Sequence, residues 1–203
     1  MMKLAWALGL AMCGTMQAEP PGQLSAAERK RAAAELEASR KQFLAEIDGL
    51  TVAQWTFKPG PDRWSVAECA EHIAATEDTY FALIERLLRA TATPEKKKEA
   101  AGKDDYVLKE MQNRDNKRTA GETLQPSGRW RTREELTAHF NRSRDRLIEF
   151  VRTTGLDLRG HHQAHRAVGL IDAYQWILLA SGHSRRHTMQ IEEVKASAGY
   201  PRR

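Results

Sequence analysis

Three times in this chain a Ser or Thr is followed three residues later by Glu at the threshold of a long apolar pattern: Ser25 with Glu28, Ser65 with Glu68, and Thr132 with Glu135. In such a box the hydroxyl accepts from a backbone N–H of the first turn while the carboxylate accepts from the backbone N–H of the cap, so each pair marks a helix start. After Ser25, the residues Leu36, Phe43, Ile47 and Leu50 recur at helical spacing until Gly49 and Lys58-Pro59-Gly60-Pro61 close the element;. After Ser65 the seam runs Val66, Cys69, Ile73, Tyr80, Ile84 and Leu87. After Thr132 it runs Leu136, Phe140, Leu147 and Val151, and Gly155 stops it.

A fourth helix is expected from about residue 170 to 198, with Gly199 and Pro201 as its stop;. No alternating strand pattern of useful length occurs. Four helices that are each apolar on one stripe hide those stripes by facing one another. The predicted fold is therefore all-α, a four-helix bundle over residues 25–200. Residues 94–131 are polar, include Lys96-Lys97-Lys98, and support at best one short helix around residues 105–115. They read as a long, ordered but mobile polar crossover between helices two and three.

Residues 1–18 carry Lys3, an apolar run from Leu4 to Met12, and small and polar residues up to Ala18. This is the order of a secretory signal peptide, with a run too short to span a bilayer, and residues 19–24 form a linker. A periplasmic or secreted protein is expected. Removal of residues 1–18 takes Cys13 away and leaves Cys69 as the sole cysteine, so stability must come from packing rather than from a disulfide;. Cys69 lies on the apolar side of its helix and reads as small core filler.

The net charge of +5 arises from 32 basic and 27 acidic residues, interspersed throughout. No basic block is interleaved with aromatic residues, which argues against nucleic acid as a partner. No stretch beyond the signal is apolar enough for stable membrane insertion. The expected partner is a small-molecule substrate, and a homodimer stays open.

His183 and His187 stand four positions apart, one turn from each other on the same face of the fourth helix, where they continue the stripe of Trp176, Ala180, Ile191 and Val194;. Two imidazoles so placed can bind one metal. A third ligand must come from elsewhere, and His72, beside Ile73 at the margin of the second helix's seam, is the best candidate. His161, His162 and His165 fit no ligand pattern and, near Arg159 and Arg166, are expected in a solvated loop.

The run Trp64-Ser65-Val66-Ala67-Glu68-Cys69-Ala70-Glu71-His72-Ile73 resembles the opening of helix two in the DinB-like (YfiT/bacillithiol-transferase) superfamily. Asp172-Ala173-Tyr174-Gln175-Trp176, followed by His183-Ser184-Arg185-Arg186-His187-Thr188-Met189-Gln190-Ile191, resembles its last helix. The likeness extends from about residue 25 through Pro126-Ser127-Gly128-Arg129-Trp130 to Gly199-Tyr200-Pro201. It implies a four-helix bundle in which His72, His183 and His187 bind a divalent metal. It also implies transfer of a low-molecular-weight thiol to an electrophile or, in some relatives, hydrolysis. Many relatives carry Glu where this chain has Ser184, so a carboxylate near the metal is missing here.

Three imidazoles leave a cation its full charge and open positions, a catalytic rather than structural arrangement that acidifies water or a thiol and polarises a carbonyl. Imidazole suits zinc, nickel, copper or ferrous iron, and spacing does not choose among them. Glu68 and Glu71 are candidates for orienting an imidazole, the plainer reading of Glu68 being the third helical residue of the capping box. Glu68 and Gln190 are the candidate catalytic side chains, Gln190 because it lies one turn past His187 and can donate to a bound ligand. Trp64 and Trp176 read as bundle packing. The functional expectation is an exported, metal-dependent hydrolase or thiol transferase. The alternative is a non-catalytic metal or small-ligand binding protein of the cell envelope.

Overall fold

The computed structural model describes residues 22–202; the signal and the first half of the linker read from the sequence lie outside them. Four long helices dominate: α1 (Ala26–Ile47), α3 (Val66–Arg89), α6 (Arg133–Thr153) and α7 (Ala173–Lys195). Between them lie a short α2 (Val52–Thr56), then α4 (Lys97–Ala100) and α5 (Asp104–Gln112), and an antiparallel hairpin of β1 (His162–His165) and β2 (Gly169–Asp172). The boxes at Ser25, Ser65 and Thr132 all form as read, with both reciprocal hydrogen bonds in place. Among the described residues no helix is long and apolar enough to cross a membrane.

Side-chain pairs fix the helix directions. The Arg29 guanidinium donates to the carbonyl of Val151, and Arg133 to that of Ile47, so α1 and α6 run antiparallel. The Tyr174 hydroxyl donates to the Glu28 carbonyl and Lys195 pairs with Glu46, so α1 and α7 run parallel. Glu71 meets Ser127 just before α6, Asp78 meets His139 and Ser143, and Phe81 meets Phe150, so α3 and α6 also run parallel. Because α3 and α6 point the same way, the chain must travel the length of the bundle between them, about 36 Å for 24 helical residues;. This is the physical reason for the long crossover.

The crossover is more regular than its composition suggests. α5 buries Val107, Leu108 and Met111 along α7, and the two helices come close enough at Gly182 that a Cβ there would lie 3.0 Å from that of Met111. Lys96, Lys97 and Lys98 are exposed, as read.

Three expectations are corrected. The fourth helix starts at Ala173, not near residue 170, because Asp172 caps it and pairs reciprocally with Gln175. The preceding histidines are not in a solvated loop: His162 is buried on β1, with its Nδ1 at 3.0 Å from the Thr93 hydroxyl, and His165 is half-buried against Trp176. The segment after Gly49 is not a plain connection, since Thr51 and Gln54 form a further capping box that starts α2.

The core divides in two. One apolar cluster holds Leu36, Ile84, Leu147 and Ile177; the other holds Phe43, Ile73, Phe140 and Ile191. Between them each long helix contributes one polar residue: Ser39, Glu77, Arg144 and Ser184. Arg144 bonds both carboxylate oxygens of Glu77, the Ser39 and Ser184 hydroxyls and the Leu36 carbonyl, so this buried charge is fully engaged;.

Candidate metal centre

His72 lies in the second turn of α3, and His183 and His187 lie on α7, which packs antiparallel against it. One ring nitrogen from each of the three lies within 4.8 Å of the other two, and the Nε2 atoms of His72 and His183 are 3.1 Å apart. Three nitrogens about 2.1 Å from one ion in tetrahedral directions stand about 3.4 Å from each other, so the cluster needs only a small contraction to hold a divalent cation.

The outer ring nitrogens decide which way the lone pairs face. His72 Nδ1 is 2.8 Å from the Leu124 carbonyl oxygen, which can only accept, so the ring hydrogen sits on Nδ1 and Nε2 is left as an acceptor facing inward;. His187 Nδ1 is 2.8 Å from Gln190 Oε1, and the same oxygen accepts from the Arg114 guanidinium at 3.3 Å. That atom is therefore an acceptor, and His187 likewise turns Nε2 inward. Partners of this kind hold metal-ligating imidazoles in one tautomer and orientation.

Burial drives all three basicities down, and the mutual repulsion of their charged forms adds to it for His183 and His187, which lie well below the ordinary histidine value;. Three neutral imidazoles, two of them with the acceptor nitrogen fixed inward, are ready to receive a cation. Trp64 packs against the second apolar cluster, as read, and its ring also lies 5.0 Å from that of His72 and 6.0 Å from that of His187, so it walls one side of the site. Tyr80 closes another, edge-on to His183 at 5.4 Å.

The carboxylates read as orienting groups do not approach these rings. Glu68 bonds the Ser65 backbone and, at 2.9 Å, Lys58, which is the capping role. Glu71 accepts from the backbone N–H groups of Ser127, Gly128 and Arg129 and so ties the end of the crossover to α3. Ser184 points away from the histidines into the Arg144–Glu77 layer, so its side chain has no route to the cluster. Cys69 is fully buried and its thiol is pushed up by desolvation, which makes it inert filler;. Sequence reasoning missed the Leu124 carbonyl, for which a polar crossover carries no signal, and Arg114, whose charge looks like any other on a solvated tract.

An all-α bundle with a three-His cluster between two of its helices defines a class of helical proteins built to place a metal at a helix interface. The DinB superfamily profile matches residues 35–191, and the chain belongs to that superfamily. It is 23% identical over 157 residues to the uncharacterized protein YuaE of Bacillus subtilis, covering 77% of this chain and 93% of that protein. Its fold is similar to that of YfiT from Bacillus subtilis, with a TM-score of 0.57, 13% identity, and coverage of 91% of this chain and 95% of the other. YfiT is described as a probable metal-dependent hydrolase with an unusual four-helix bundle topology.

Proposed function

We propose that the protein is an exported, divalent-metal-dependent enzyme that hydrolyses a small-molecule substrate. The observation that carries this reading is the convergence of three neutral imidazoles, two of which have their outer nitrogens held by Leu124 and Gln190. Zinc, nickel or ferrous iron on such ligands supplies a Lewis acid that polarises a carbonyl and acidifies water. The chain's own residues do the rest. His72, His183 and His187 hold the ion, Gln190 and the crossover orient two of the rings, and Trp64 and Tyr80 keep bulk water from the sides. The description of YfiT as a probable metal-dependent hydrolase supports the choice of reaction. Thiol transfer is the close competitor, and export weighs against it because low-molecular-weight thiols are kept in the cytosol. Export itself rests on the order of residues 1–18;.

The test is to purify the mature protein, measure its metal content, and assay it on ester and amide panels and on an electrophile-plus-thiol panel, with and without chelator. Hydrolysis that is lost on chelation, restored by metal and absent from the His72→Ala/His183→Ala/His187→Ala variant is the expected result. Hydrolysis indifferent to chelation overturns the reading. One observation favours a second reading, a non-catalytic metal-binding protein: both nearby carboxylates, Glu68 and Glu71, are committed elsewhere. Tight metal binding with no turnover on any panel would identify it.

A further inference from the structure

Beyond Tyr80 the ring contacts continue away from the histidines. The Tyr80 ring lies 5.8 Å from that of Trp176, and Trp176 meets His165 edge-on at 5.3 Å. Each of these three side chains carries a hydrogen-bond donor that the described protein leaves unused. Trp176 is 3% exposed, and its Nε1–H has no acceptor. The Tyr80 hydroxyl makes no hydrogen bond to a described residue. His165 Nδ1 is 3.2 Å from the Ala167 backbone N–H, which can only donate, so the ring hydrogen of the neutral imidazole sits on Nε2, again without a partner;. Burial, with Arg118 and Arg166 nearby, pushes His165 down to about 4, so it is neutral at pH 7. Buried polar groups are nearly always paired, so the buried Trp176 Nε1–H asks for an acceptor, and the Tyr80 hydroxyl and His165 Nε2, which are open to solvent, belong to rings in contact with it;.

The charge around the row has the matching sign. Arg118 and Arg166 both act on Tyr80 and on His165. Arg166 donates to the Thr119 carbonyl and has no carboxylate partner among the described residues. Arg166 is exposed, whereas Arg186 is buried and spends its guanidinium on the backbone carbonyls of Asn113 and Asn116. Glu110, paired with Arg118, and Glu193, paired with Arg114, act on Arg186, while Glu77 is committed to Arg144; none of the three forms an ion pair with Arg166 or Arg186.

We propose that Tyr80, Trp176 and His165 receive an anionic, acceptor-only group of the substrate, a carboxylate or a phosphate monoester, while the bond to be changed lies at the three histidines. This deepens the hydrolase reading and rests on it for the second half of the statement only. An anion accepts from donors of this kind and is held by the guanidinium field, whereas an alcohol brings a further hydrogen to a row of donors. A cation meets both donors and like charge.

The test uses the folded, metal-free protein kept in chelator, so that no anion can be held by a metal. The Trp176 indole N–H resonance, assigned by its loss in Trp176→Phe, is followed while benzoate, phenyl phosphate, benzyl alcohol and benzylamine are titrated. Saturable downfield shifts with benzoate or phenyl phosphate, at least about tenfold tighter than with benzyl alcohol, are expected. The tighter of the two anions distinguishes carboxylate from phosphate. His165→Ala should weaken the anion at least about fivefold while leaving zinc affinity, measured separately by chelator competition, unchanged, and Tyr80→Phe should weaken the anion to a similar degree. Equal binding of anion and alcohol, no saturable shift, or variants that bind the anion as wild type does would overturn the proposal. Failure of the wild type to bind zinc would instead strike the metal centre and leave the anion titration to be judged on its own.

Discussion

His183 and Ser184 are neighbours on α7, yet they enter two buried polar clusters that differ in whether the protein completes them. Ser184 joins Arg144, Glu77 and Ser39, where every guanidinium direction meets an oxygen and the single positive charge meets a single negative one. His183 joins His72 and His187, where the outer nitrogens of two rings are satisfied and the inner ones point at each other. Both clusters cost desolvation. The first repays it internally and holds the four helices in register. The second is completed only by something with positive charge, and that is how a structural layer and a binding site can be told apart when they lie one residue from each other.

The sharpest way to break this comparison is to unbalance the closed layer. Glu77→Ala leaves Arg144 charged and buried without its partner, which costs about 3–5 kcal/mol;. For a chain of this size that is a fall in melting temperature of roughly 10 °C in calorimetry. Replacing both partners, with Glu77→Leu and Arg144→Met, should recover most of the loss because no charge is stranded. If the single variant melts like the wild type, the layer is not closed in the sense argued.

The open cluster should behave in the reverse manner. His183→Ala should lower zinc affinity more than tenfold in a chelator competition and change the melting temperature of the metal-free protein little, since it removes a neutral group with no compensating charge;. His162→Ala, at a histidine buried on the hairpin with Thr93, should leave the affinity in place. Equal binding by wild type and His183→Ala would move the metal elsewhere.

The two clusters also differed in how far the sequence disclosed them. The i, i+4 spacing of His183 and His187, and the place of His72 at the edge of an apolar seam, are local patterns, and helix geometry converts them directly into proximity. Arg144 and Glu77 were silent because a charged residue in an amphipathic helix reads as solvated unless its partner on another helix is known. The bundle was legible because three capping boxes and four apolar stripes are local too. Its parallel pairing of α3 with α6 was not, although the crossover length is its direct consequence. The hairpin escaped because four-residue strands such as His162–His165 are too short for alternation to register. The caps at Thr51 and Asp172 obey the same rule as the three that were read, with Gln in place of Glu;.

A smaller effect distinguishes the clusters by pH. Burial holds the folded-state values of His183 and His187 well below 6.5 and lowers that of His72, so below about pH 6.5 the unfolded chain binds protons that the folded chain does not;. Stability contributed by these groups is present above that value and lost as the pH falls through it. Metal-free protein should therefore melt at progressively lower temperature from about pH 7 to pH 5. The variant with all three histidines replaced by Ala should show a flatter profile over the same window. Parallel profiles would mean that the histidines are not held neutral by the fold.

The smallest expected effect is at Glu68, and its smallness is what makes it informative. Desolvation raises the Glu68 carboxyl, but the hydrogen bonds and charge of Lys58 and the Ser65 backbone bond outweigh it, so the group lies below the usual carboxylate range. A carboxyl kept anionic at a helix cap is a poor proton donor near neutrality. Glu68→Gln keeps the capping box, because Gln serves at the third helical position as Glu does, and it loses only an exposed pair with Lys58 worth less than about 1 kcal/mol;. Melting temperature, zinc affinity and any metal-dependent rate should all stay close to wild type. Should the rate vanish while the zinc remains, Glu68 must leave its cap and reach the histidines during turnover, and the first turn of α3 would belong to the site rather than to the scaffold.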